Sequence, residues 1–128
     1  MLYSGWQESF LIPGRKERET MKVAETFEVM QTRFRPAATA GVSKTFQWNI
    51  RGSEAGEWAF KINNQTCELI PGGVENPDLT LMMSDADWLS MNEGQLDYMT
   101  AIATGRLQLA GDTMLATRLP DLFPTFFR

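Results

Sequence analysis

The chain has 128 residues, 43% of them hydrophobic and 22% charged, which fits one domain built around one core. It has no histidine, which removes the commonest general base and metal ligand, and its single cysteine, Cys67, excludes an internal disulfide. A net charge of −4 counts against a nucleic-acid partner, and the basic run Arg15-Lys16-Glu17-Arg18 is interrupted by acid.

Residues 1–19 read as an N-terminal extension with no clean period. Trp6, Phe10, Leu11 and Ile12 suit either a docked extension or a mobile arm, and Pro13-Gly14 breaks any helix. The short apolar run Phe10-Leu11-Ile12 is followed, not preceded, by basic residues, so it does not read as a signal peptide. No stretch approaches the ~18 apolar residues of a bilayer span. A cytoplasmic protein without an integral membrane segment is expected.

The domain proper is expected over residues 20–128. Val23, Phe27, Met30 and Phe34 recur at helical steps, which predicts a helix over about 20–34, ended before Pro36. Alternation then takes over. Phe46, Trp48 and Ile50 share one face of a strand, and Trp58, Phe60 and Ile62 share one face of a second. Asn63-Asn64 suits a tight hairpin into a weaker third strand carrying Cys67 and Leu69, which Pro71-Gly72-Gly73 stops. Leu79, Leu81 and Met83 point inward from a fourth strand, with Met82 out of pattern. Ser84 reads as a helix N-cap, and Asp85 and Asp87 place negative charge at the positive end of the helix dipole. Trp88 and Leu89 follow on that helix, which Gly94 ends.

A second short helix carries Tyr98, Met99 and Ile102 to Gly105, and Leu107 and Leu109 mark a fifth strand. Gly111-Asp112 opens a further helix with Met114, Leu115 and Leu119 on one side, interrupted by Pro120. The apolar tail Leu122-Phe123-Pro124-Thr125-Phe126-Phe127 is expected to fold back as a lid, to fill an unrelated groove, or to dock on a partner subunit.

No catalytic residue and no metal ligand set emerges. Helix capping accounts for Asp85 and Asp87, and Cys67 has no histidine to activate it. No phosphate-binding or dinucleotide fingerprint accompanies the glycines, so no cofactor is expected. On residues alone, the apolar faces of sheet and helices either pack together or enclose a space. The eight methionines, whose side chains adapt to irregular volumes, fit both.

The residues also resemble a known family. Phe46-Gln47-Trp48-Asn49-Ile50, Glu75-Asn76-Pro77-Asp78, Met83-Ser84-Asp85-Ala86-Asp87-Trp88, and the run from Gly105-Arg106-Leu107 through Gly111-Asp112 to Met114-Leu115-Ala116 occur in the order and spacing of sterol carrier protein type 2 domains. The resemblance covers about residues 20–123. It implies an α+β fold in which a five-stranded, mainly antiparallel sheet carries helices on one face and encloses an apolar tunnel. It implies non-catalytic binding and carriage or presentation of apolar lipids such as fatty acids, fatty acyl-CoA or sterols. The expected tunnel lining is Phe46, Trp48, Phe60, Leu81, Met83, Trp88, Leu89, Met99, Ile102, Leu107, Leu109, Met114, Leu115, Leu119 and Phe123. The expected partner is an apolar lipid, with transient membrane contact. The chain ends Phe126-Phe127-Arg128 rather than in a peroxisomal tripeptide, so that location is not carried over. The competing expectation is a protein-interaction or accessory domain of a lipid-metabolising system, its tunnel filled by Trp48, Trp58 and Trp88.

Overall fold

The computed structural model describes residues 21–124 and Phe127; the N-terminal extension lies outside the described residues. The first helix, α1 (Val23–Thr32), buries Val23, Phe27 and Met30 along one side, as the spacing predicts. Its start is fixed by two carboxylates. Glu25 Oε1 accepts the Lys22 N–H at 2.9 Å, and Glu54 Oε1 accepts the Val23 N–H at 2.8 Å. A single 3-10 turn, Pro36–Thr39, leads into the sheet.

The sheet contains β1 (Ser43–Arg51), β2 (Gly56–Asn63), β3 (Thr66–Pro71), β4 (Leu79–Ser84) and β5 (Gln108–Gly111), in the order β3-β2-β1-β4-β5. All pairings are antiparallel except β1 with β4, which is parallel. One register aligns the inner face: Phe46 faces Phe60 and Leu79, and Trp48 faces Trp58 and Leu81. Leu109 extends that row from β5.

The β2–β3 hairpin differs from expectation by one residue. Asn63 is the last paired position, opposite Thr66, and the left-handed pair is Asn64 (φ 41°) with Gln65 (φ 71°). The β3–β4 connection crosses the outer face, where Gln47 Oε1 accepts the Val74 N–H at 2.8 Å. Gln47 is thereby buried although it points away from the core.

After β4, Ser84 caps α2 (Asp85–Asn92) by accepting the Asp87 N–H at 3.1 Å. Asp97 likewise caps α3 (Tyr98–Ala103), accepting from the Thr100 N–H at 3.0 Å. The expected helix after Asp112 is instead a 3-10 segment, Thr113–Arg118, followed by the short α4 (Leu119–Leu122). Pro120 does not interrupt a helix; it sits in the first turn of α4, where its missing N–H costs no bond. The 3-10 winding also turns Met114 outward, away from buried Leu119. Leu107 precedes β5 rather than lying in it, but its side chain is buried.

Aromatic rings fill the space between sheet and helices. Phe27 is stacked between Trp58 (4.8 Å, 15°) and Trp88 (5.0 Å, 9°), and Trp48 meets Phe60 edge-on at 5.6 Å. Each such buried side chain contributes roughly 1.5–3 kcal/mol.

Candidate functional site

The expected lining divides into three groups. Phe46, Trp48, Phe60, Leu81, Met83, Trp88, Leu107, Leu119 and Phe123 are buried in the common core. Leu89, Ile102, Leu109 and Leu115 are half-buried against it. Met99 and Met114 are exposed, at 65% and 72%. For Met114 this is a correction: it faces solvent from the 3-10 segment and borders no described cavity.

A cavity of about 400 Å³ lies where α3, β5 and the 3-10 segment meet, within the size range of small-molecule sites. Tyr98, Met99 and Ile102 line it from α3, Leu109 from β5, and Thr113, Ala116, Thr117 and Pro120 from the 3-10 segment and α4. Of the expected residues it therefore gathers Met99, Ile102 and Leu109. The sequence reading missed the wall of small residues. Bulky side chains fill space and small ones leave it, so a search for large apolar residues finds the core before the cavity. The available signal was the spacing of three between Thr113 and Ala116, which puts the pair on one side of a 3-10 helix.

The polar groups of this wall are few. The Tyr98 hydroxyl donates to the Ala116 carbonyl at 2.8 Å, which pins α3 to the 3-10 segment. Burial raises the Tyr98 phenol well above its ordinary value, so it stays a neutral donor at physiological pH. The wall is mostly apolar, with hydroxyls from Tyr98, Thr113 and Thr117.

Asp85 is engaged away from the cavity. Asp85 Oδ2 accepts the Glu54 N–H at 3.0 Å and the Ser53 hydroxyl at 3.2 Å, while Oδ1 accepts the Ala86 N–H at 2.7 Å. The Glu54 N–H is the first cause of its lowered pKa; desolvation opposes it, and the Ala86 N–H and Ser53 add to the lowering. Asp85 is thus a clamp on the β1–β2 turn as well as a helix-start residue. The turn requires glycine at Gly52 (φ 121°), where a Cβ would strike the Asp85 carboxylate. Cys67 is half-buried on β3, and desolvation pushes its thiol up to about 12. Among the described residues there is no cluster of three or more metal-ligating side chains, and no helix is long and apolar enough to cross a membrane.

Comparison with known proteins gives a consistent picture. The model of the SCP-2 sterol transfer family matches residues 27–124. Peroxisomal multifunctional enzyme type 2 of Mus musculus is 31% identical over 77 residues, which cover 58% of this chain and 10% of that protein. The chain spans between 10% and 26% of the length of the first curated relatives it matches. Among solved structures, palmitated SCP2L2 from Aedes aegypti superposes with a TM-score of 0.65 at 24% identity, covering 79% of this chain and 93% of that one. The stereoselective inverting sec-alkylsulfatase Pisa1 from Pseudomonas sp. superposes with a TM-score of 0.68 at 19% identity, covering 86% of this chain but 17% of the enzyme.

Proposed function

The chain belongs to the SCP-2 sterol transfer family, and on that premise we propose that it binds one long-chain apolar lipid at the cavity bounded by α3, β5 and the 3-10 segment. The observation that carries this reading is the cavity itself: about 400 Å³, walled by apolar and small side chains, and reaching the surface at exposed Met99. Palmitate, which the Aedes aegypti homologue holds, is the first candidate, with fatty acyl-CoA and sterols next. The role is carriage or presentation of the lipid, without chemistry on it. Nothing in the cavity wall supplies an activated nucleophile or a general base.

A second reading has its own support. The relatives include enzymes of which this chain matches only a small part, so the domain also fits an accessory role beside a lipid-metabolising enzyme. The aromatic packing of Phe27, Trp58 and Trp88 would then mark a filled interior.

Titration of the purified protein with palmitate decides between them. A rise in melting temperature with ligand concentration, and one palmitate per chain by native mass spectrometry, support the carrier. No binding of palmitate, palmitoyl-CoA or cholesterol at micromolar concentration rejects it.

A further inference from the structure

The methionines of this chain are unevenly placed. Met30, Met83 and Met91 are buried in the core, whereas Met99 and Met114 are the large apolar side chains left exposed among the described residues, at 65% and 72%. These two differ in what they border. Met99 is part of the cavity wall, and Met114 is not.

The backbone that carries Met99 is fixed. Asp97 caps α3 through the Thr100 N–H at 3.0 Å, and the Tyr98 hydroxyl ties the same turn to the Ala116 carbonyl at 2.8 Å. The Met99 side chain is unbranched and polarizable, so it adapts to whatever passes it. One turn on, Ile102 is half-buried in the same wall, which places Met99 at the outer end of the apolar path. A two-electron oxidant finds few competing groups. The one cysteine, Cys67, is half-buried, and desolvation pushes its thiol up to about 12, so almost no thiolate exists at neutral pH. Exposed thioethers are then the soft nucleophiles within reach.

We propose that Met99 is an oxidation switch at the mouth of the cavity: a hydroperoxide converts its side chain to the sulfoxide and thereby lowers lipid affinity. This rests on the lipid-carrier reading and adds a modification site and the class of reagent that acts there. The Met99 sulfur attacks the terminal oxygen of the hydroperoxide, and the O–O bond breaks as the S–O bond forms. The terminal oxygen's proton passes to the leaving oxygen, which departs as water or an alcohol. The sulfur is oxidised by two electrons and the hydroperoxide is reduced. A sulfoxide oxygen is a strong acceptor that holds water, so covering it with hydrocarbon carries a desolvation cost that a thioether lacks. The expected loss of affinity is roughly tenfold. The same oxidation at Met114 leaves the wall untouched. Enzymatic reduction of the sulfoxide makes the switch reversible.

The test treats the full chain with dilute hydrogen peroxide and locates the added oxygen by peptide mass spectrometry. Palmitate affinity is measured by calorimetry before and after treatment, in the parent, Met99→Leu and Met114→Leu. Oxygen should add early at Met99 and Met114. Treatment should then lower affinity about tenfold in the parent and in Met114→Leu, and leave the before-and-after ratio near one in Met99→Leu. Methionine sulfoxide reductases for both epimers should restore the parent's affinity. Full affinity in protein oxidised at Met99, or an equal loss in treated Met99→Leu, overturns the proposal and leaves the carrier reading standing. So does a Met99 that stays unoxidised while Met114 is converted. Untreated parent that binds no palmitate defeats the carrier reading, and the switch with it.

Discussion

Trp88 and Thr26 are joined by a buried hydrogen bond of 2.7 Å between residues 62 positions apart in the chain, tying α2 to α1. Thr26 Oγ1 in turn donates to the Val23 carbonyl at 2.5 Å, so one hydroxyl serves as acceptor and donor with no exposure to water. Replacing Thr26 by Val keeps the shape and orphans the Trp88 donor. The expected loss is about 1–3 kcal/mol in urea unfolding, with Thr26→Ser recovering part of it. An unchanged midpoint in Thr26→Val rules out a stabilising role for this bond.

Asp85 links acidity to the integrity of the β1–β2 turn. Its folded-state pKa is lowered, chiefly by the Glu54 N–H, so its contribution is present above the unfolded value of about 3.9 and is lost as pH falls through the lower folded value. Asp85→Asn should therefore narrow the stability difference between pH 6 and pH 2, with the mutant and parent curves converging at the acid end. Parallel curves across that range would show that the carboxylate has no linked role.

The outline of the fold was legible because it rests on periodicities that burial imposes. Alternation in Phe46-Gln47-Trp48-Asn49-Ile50 gave the central strand, and the Ser84 hydroxyl ahead of Asp87 gave the cap. Other features were not legible. Helical spacing of four and 3-10 spacing of three are not told apart by so short a run, so Met114 was placed inward when it is 72% exposed. The cavity wall was hidden for a different reason. Ala116 and Thr117 matter through the volume they do not occupy, and hydropathy records only what is present. The parallel β1–β4 pairing depends on the path of the chain over Gln47, which no local pattern encodes. The tail suits a lid, an unrelated groove or a partner subunit equally on sequence alone; Leu122, Phe123 and Phe127 are inside the core, while Phe126 lies outside the described residues.

Filling the cavity separates its wall from its surroundings. Ile102→Trp projects bulk into the 400 Å³ space and should weaken palmitate binding by about tenfold or more, while costing less than the ~1–3 kcal/mol of overpacking in a closed core. Met114→Lys, on an exposed side chain outside the wall, should leave affinity unchanged. Calorimetric titration of both variants makes the comparison. Equal affinities for Ile102→Trp and the parent protein would move the ligand elsewhere.

Cys67 should behave as an inert thiol. With its pKa pushed to about 12 by desolvation, the thiolate fraction at pH 8 is on the order of 10⁻⁴. Reaction with a disulfide reagent at pH 8 should be slow in the folded protein and rise sharply in denaturant. Rapid labelling without denaturant would mean that β3 opens on its own.

The parallel pairing of β1 with β4 also dictates an order of assembly. The β1–β2 and β2–β3 contacts close short loops, and they can form as a meander before the rest of the chain arrives. Joining Phe46 to Leu79 closes a far longer loop, and its entropic cost is met only when the connection held at Gln47 and Val74 is already laid across the meander. The residues that follow β4, including every wall of the cavity, therefore gain their platform last. Ligand competence is thus gained after the meander, with the residues that follow β4.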